Sequence, residues 1–93
     1  MPVLVTAQVE NQTEQLYDSM LSALVSQLKQ ADGFIMHSAH RAADTGQWRV
    51  LEVWDTKAQA DQFFAWFVAP NLPPGVRPKR SVVELHSLVT PGV

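Results

Sequence analysis

The stretch Gln47–Pro70, QWRVLEVWDTKAQADQFFAWFVAP, holds all three tryptophans of the chain and changes its hydrophobic period partway along. From Trp48 to Trp54 the period is two, with Trp48, Val50, Glu52 and Trp54 alternating against Arg49, Leu51 and Val53, which predicts a strand. Asp55-Thr56 then opens a helix, with Gln59 in the capping-box position after Thr56. Ala60, Phe63, Phe64, Phe67 and Val68 form the core stripe of that helix, predicted over 57–68. Pro70 closes it.

The rest of the chain repeats the same two periods. Val3, Val5, Ala7 and Val9 alternate with Leu4, Thr6 and Gln8, a strand with one fully apolar face. Asn11 and Glu14 are placed as an N-cap and its reciprocal partner. Tyr17, Met20, Leu21, Leu24, Val25 and Leu28 then recur as the apolar stripe of an amphipathic helix. Asp32-Gly33 ends it, Gly33 being free to take a left-handed conformation. Phe34, Met36, Ser38 and His40 alternate against Ile35, His37, Ala39 and Arg41 as a second strand, and Ala43-Asp44-Thr45-Gly46 is a turn. The prolines of Asn71–Arg80 predict an irregular loop, and Val82–Val89 a last strand before the tail Thr90–Val93.

The order βαββαβ predicts a ferredoxin-like α+β domain, a four-stranded antiparallel sheet with both helices on one face. Ninety-three residues form one such domain spanning 1–93. Hydrophobic residues make up 46% and charged ones 17%, an apolar balance for a chain with so little interior. A homodimer that buries the open sheet face answers this imbalance.

Several function classes are excluded or disfavoured by composition. The net charge is −2, and the one basic cluster, Arg77, Lys79 and Arg80, has no interleaved aromatics, so nucleic-acid binding is not expected. There is no cysteine, hence no thiolate nucleophile, disulfide or Cys-based metal site. No apolar run approaches a membrane span and no signal-peptide pattern opens the chain, so the expectation is a cytoplasmic protein.

Asp32-Gly33-Phe34-Ile35, Trp48-Arg49-Val50-Leu51-Glu52-Val53-Trp54, the run from Phe63-Phe64 to Pro70, and Val83-Glu84-Leu85-His86 together resemble the antibiotic biosynthesis monooxygenase family. The resemblance spans nearly the whole chain and implies a dimeric α/β barrel, two sheets packed by their open faces. Members of that family that are enzymes carry out one of two chemistries, oxidation of polycyclic phenols to quinones without metal or flavin, or haem degradation, and others have no established activity. The haem-degrading branch carries an Asn on its first strand where this chain offers Thr6, Ala7 and Gln8. Its second-helix Trp falls on Phe63, and its haem-ligating His falls on Pro73. Haem degradation is therefore not expected, and the expected cofactor set is empty.

Glu52 lies on the face of Trp48, Val50 and Trp54. Among bulky apolar neighbours a carboxyl gains the basicity of a general base; alternatively, Arg41 or Arg49 pairs with it and it is structural. His37, His40 and His86 are the side chains that titrate near neutrality. His37 and His40 lie on opposite faces of one strand and cannot share a metal, so no metal site is expected. Trp66 falls off the helix stripe, as a pocket wall or as a cover for the Pro-rich loop or a dimer neighbour.

The resemblance thus implies a cofactor-independent monooxygenase acting on an aromatic or polyketide-like small molecule. Glu52, His37 and His86 are its candidate bases, and Trp54, Phe63 and Trp66 its ligand-binding walls. The alternative is a non-catalytic ligand-binding or structural dimer of the same fold.

Overall fold

The computed structural model describes residues 1–92, so Val93 of the expected tail lies outside the described residues. The elements run β1 (Val3–Glu10), α1 (Glu14–Gln30), β2 (Phe34–Arg41), β3 (Trp48–Trp54), α2 (Lys57–Phe63) and β4 (Arg77–Glu84). The strands form one antiparallel sheet in the order β2-β3-β1-β4. This is the predicted ferredoxin-like α+β arrangement. The sheet of the single chain is open, not a closed barrel.

β1 runs through the middle of the sheet, and its alternation decides which face is covered. Val3, Val5, Ala7 and Val9 are buried. Val3 and Val5 pack with Leu28 of α1, Trp54 of β3, and Ala60 and Phe63 of α2. Ala7 and Val9 pack with Val76, flanked by Leu16, Trp48, Val50 and Leu72. Trp54 is the largest fully buried side chain. Phe34 meets it edge-on and Phe63 tilted, each ring centroid 5.4 Å from it, the offset geometry that aromatic quadrupoles favour.

The helix start of α1 differs from the prediction. Thr13, not Asn11, is its N-cap, accepting from the Leu16 N–H at 3.1 Å. Asn11 instead adopts φ 62°, a left-handed conformation that Asn tolerates better than most residues, and its side chain donates across the fold to the Gly75 carbonyl at 2.8 Å. Val25, placed on the core stripe by periodicity, is exposed, while Leu16 packs into the second cluster. At α2, Thr56 caps as expected by accepting from the Gln59 N–H. The Gln59 amide does not return to the cap. It lies against Gly33, whose φ is +83°, filling the space that a Cβ there would need.

The aromatic helix is also interrupted. After Phe63 it widens into a π turn, Phe64–Val68, and then tightens into a 3-10 turn, Ala69–Asn71. The last strand is displaced from the prediction: β4 covers Arg77–Glu84, so residues 77–80 are strand rather than loop, and 85–89 are not strand. Pro78 is tolerated there because β4 is an edge strand with one unpaired side. The cations mark that edge: Lys79 pairs with Glu10 at 3.0 Å. No helix among the described residues is long and apolar enough to cross a membrane.

Candidate active site

The hairpin of β2 and β3 does not keep simple alternation. The register shifts between Phe34 and Met36, pairing Phe34 with Trp54, Met36 with Val53 and His37 with Glu52. Ile35 is the extra residue of a β-bulge. The shift places Phe34 and His37 on the same, helix-covered face, although they were assigned to opposite faces by period two. His40 is paired with Arg49 and remains on the other face from His37, as expected.

On the covered face Glu52 lies between Val5 of β1 and His37 of β2. Its Oε2 is 2.7 Å from His37 Nδ1, and its Oε1 accepts the Trp54 Nε1–H at 2.9 Å. His37 Nε2 is 2.8 Å from the hydroxyl of Tyr17, which projects from the first turns of α1. Four side chains from three elements therefore form one continuous hydrogen-bonded chain. The side chains of His37 and Glu52 retain only 14% and 17% exposure. Neither arginine proposed as a partner of Glu52 reaches it. Arg41 stands over the Trp48 ring at 5.6 Å and Arg49 lies 3.9 Å from Asp44.

The direction of the chain follows from its ends. An indole N–H only donates, so Glu52 accepts from Trp54. With Glu52 ionised, its second oxygen accepts as well, which assigns a hydrogen to His37 Nδ1. In the neutral tautomer with its hydrogen on Nδ1, Nε2 is an acceptor and Tyr17 donates its hydroxyl hydrogen to it. Burial, reinforced by the negative charges of Asp18 and Glu52, pushes the Tyr17 phenol above its ordinary pKa, so it is protonated at neutral pH. A carboxylate beside an imidazole that in turn meets a hydroxyl is the geometry an acid–base relay requires.

The chain opens on a cavity of about 100 Å³ between the sheet and the helices. Its walls are mostly apolar, including Val5, Ala7, Met20, Leu24, Phe63 and Phe64, while Tyr17, His37, Glu52 and Arg80 bring polar groups to it. Arg80, on β4, stands 4.4 Å over the Phe64 ring and donates to Asp61 Oδ1 at 3.2 Å. Asp61 also accepts from Lys57. The Lys57 hydrogen bond first, and that of Arg80 after it, hold the Asp61 carboxyl below its ordinary pKa. Among the described residues no three His, Asp or Glu side chains converge as a metal-binding group.

Of the residues singled out from sequence, His37, Glu52 and Trp54 come together and Phe63 lines the cavity. Trp54 contributes its N–H to Glu52 and lies buried behind the cavity rather than on its wall. His86 is not brought to the site. It lies beyond the end of β4, exposed, in the segment expected to be strand. Trp66 is 65% exposed and borders a shallow surface depression with Gln59 and Gln62. Tyr17 and Arg80 were missed. The available signal for Tyr17 was a phenol on an otherwise apolar helical stripe, since a buried hydroxyl needs a partner.

The fold is that of several solved structures. SnoaB of Streptomyces nogalater, described as a cofactor-independent oxygenase, superposes with a TM-score of 0.67 at 12% identity, over 95% of this chain and 96% of that one. Rv0793 of Mycobacterium tuberculosis gives 0.66 at 16% identity, over 97% and 100%. The haem degrader MhuD, also of Mycobacterium tuberculosis, gives 0.65 at 12% identity, over 97% and 100%. No curated protein matches the sequence. The family model described as antibiotic biosynthesis monooxygenase matches residues 3–67, the span from β1 through most of the π turn that carries Tyr17, His37, Glu52 and Trp54. The chain belongs to the antibiotic biosynthesis monooxygenase family.

Proposed function

We propose that this protein is a cofactor-independent monooxygenase acting on an aromatic or polyketide-like small molecule held between the helices and the sheet. The observation that carries the reading is the Tyr17–His37–Glu52 chain on the wall of an apolar cavity, with Trp54 holding Glu52 from behind. In such chemistry the deprotonated substrate, a phenolate or carbanion, itself reduces dioxygen. The protein supplies a base and hydrogen-bond donors. Here the His37–Glu52 pair is the base, and Phe63 and Phe64 are the apolar walls. SnoaB, a cofactor-independent oxygenase of the same fold, supports this choice. The haem chemistry of MhuD does not transfer, because Phe63 and Pro73 stand where that branch has its Trp and ligating His. The one His on the cavity wall, His37, has both ring nitrogens engaged.

A ring system enters by spreading the walls. A void of about 100 Å³ holds about three waters and is smaller than the roughly 300 Å³ from which small-molecule pockets begin. Phe64 and Val68, at the two ends of the π turn, border that void, and π turns often occur at working sites. The small void also favours the second reading, a non-catalytic dimer of the same fold. Oxygen uptake with a panel of anthrone-like and catechol-like phenols in metal-free buffer separates the two. Uptake above autoxidation that is lost in Glu52→Gln and His37→Ala supports the enzyme. Absence of uptake across the panel favours the non-catalytic protein.

We infer further that the protein is a homodimer joined through the sheet face opposite the helices. Leu4, Leu51, Met36 and Val83 share that face by register, and Val83 is 51% exposed in the single chain. A second copy of the same face would bury them and close the barrel. Light scattering tests it; a monomer at micromolar concentration sinks the inference.

A further inference from the structure

Both ring nitrogens of His37 are occupied, Nδ1 by Glu52 and Nε2 by the Tyr17 hydroxyl. Both oxygens of Glu52 are occupied as well, by His37 and Trp54. A molecule entering the cavity therefore cannot pass a proton to His37 without first breaking one of these bonds, and it meets Glu52 only at the lone pairs left beside the two bonds that carboxylate already accepts. Tyr17 is in a different position. With the ring hydrogen on Nδ1 it gives its single hydrogen to His37, and its oxygen keeps acceptor capacity that no other donor uses among the described residues. It also lines the cavity. Its ring is fixed by stacking on Trp48, centroids 5.4 Å apart and planes 19° apart, with Arg41 standing over the Trp48 ring.

We propose that Tyr17 is a catalytic residue of this site, its phenol oxygen receiving the substrate proton while its own hydrogen passes to His37 Nε2. This rests on the reading above, in which the site removes a proton from a phenol or an activated C–H bond. One substrate C–H or O–H bond breaks and its electron pair stays with the substrate as a carbanion or phenolate. A new O–H bond forms at Tyr17 as the old one breaks, and an N–H bond forms at Nε2. The products are a substrate anion and a His37 imidazolium facing the Glu52 carboxylate. No oxidant or reductant enters this step. The two transfers move together, because burial and the charges of Asp18 and Glu52 disfavour a free phenolate at Tyr17. Afterwards the imidazolium donates from Nε2 to the Tyr17 oxygen, and the Tyr17 hydrogen is turned toward the substrate anion. The same hydroxyl that took the proton then steadies the charge it created.

The test has two arms. The first measures deuterium uptake at the acidic methylene of anthrone in heavy water under argon, where oxygenation cannot occur. The expected result is exchange catalysed by the wild type and slowed by about 10²-fold or more in Tyr17→Phe, the scale of a lost general base. The second arm uses the wild type alone and needs no substrate: nitrogen NMR of the His37 ring. The expected neutral ring carries its hydrogen on Nδ1, with Nε2 accepting a hydrogen bond. A neutral ring with its hydrogen on Nε2 overturns the proposal even if Tyr17→Phe fails to fold. A folded Tyr17→Phe that exchanges anthrone as fast as the wild type overturns it too, while leaving the monooxygenase reading standing. A wild type that neither exchanges anthrone nor consumes oxygen with any phenol of the panel removes that reading and this proposal together.

Discussion

His37 and Glu52 are cross-strand partners in the β2–β3 register, and their side chains meet at 2.7 Å on the covered face of the sheet. The pair is a product of strand pairing, so its geometry is fixed by backbone hydrogen bonds rather than by a loop. Replacing Glu52 with Gln keeps the size and removes the charge. The amide keeps its oxygen on Trp54 and turns its NH₂ toward His37, whose ring then accepts at Nδ1 only by moving its hydrogen to Nε2 and reversing the bond to Tyr17. We expect a loss of oxygen uptake of about 10²-fold or more with a destabilisation of no more than about 1 kcal/mol, read by a respirometer and by urea denaturation.

Trp54 tests the same site from behind. In Trp54→Phe the ring core is largely retained, but Glu52 Oε1 loses its donor. The unpaired acceptor costs about 1–3 kcal/mol, in addition to the packing lost with the smaller ring. The matching prediction is a change in the nitrogen NMR signals of His37 without loss of the fold, since the carboxylate is no longer anchored at both oxygens.

Tyr17 is the single tyrosine of the chain, so a spectrophotometric phenol titration reports it alone. The phenol is raised above its ordinary pKa chiefly by burial, and the folded protein therefore holds this proton more tightly than the unfolded chain does. As pH rises past about 10, where an unfolded tyrosine ionises, stability falls until the folded phenol also ionises. The titration midpoint of the native protein is expected above that of the denatured protein. Coincident midpoints would contradict the burial of this hydroxyl.

Asp61 carries the opposite sign. Lys57 and Arg80 hold its carboxyl below the ordinary range. Its contribution to stability is complete above the unfolded pKa and disappears as pH falls through the folded one. The side chain is 37% exposed, so solvent and salt keep the effect small. Asp61→Asn should be slightly less stable than the wild type at neutral pH and equal to it in strong acid, as followed by thermal melts across pH.

Gly33 combines two constraints, a φ of +83° and the Gln59 amide occupying the place of a Cβ. Gly33→Ala strains the backbone and displaces Gln59, and a loss above about 1 kcal/mol is expected. Gly46 also has positive φ, at +73°, but opens on free space, so Gly46→Ala measures the backbone term alone. The difference between the two variants in denaturant midpoint isolates the crowding by Gln59.

The sequence carried the fold more fully than the site, and the residues show why. Period-two and period-3.6 patterns survive in any context where one face is buried, so β1, β2, β3 and both helices could be read directly. The bulge at Ile35 leaves no mark in composition, yet it decides that Phe34 and His37 share a face. Tyr17 was read as core because a helix stripe reports burial and not the partner that satisfies a hydroxyl. Pro78 hid the start of β4, because only the position of that strand at the sheet edge makes a proline acceptable there. Trp66 was correctly set apart from the stripe, but periodicity does not show which way an off-stripe side chain turns once a π turn intervenes.

The sheet is one strand thick, and β3 writes its two faces in alternate letters. Glu52 and Trp54 point to the helices, while Leu51 and Val53 take the register positions of the open face. Under the proposed chemistry and the inferred dimer, neighbours in sequence would serve different ends, one proton transfer and the next subunit contact. A variant such as Val83→Asp can abolish association and leave the acid–base chain untouched, and Glu52→Gln can do the reverse. On that reading chemistry and assembly would share a backbone without sharing a surface, so that each could drift while the other is held.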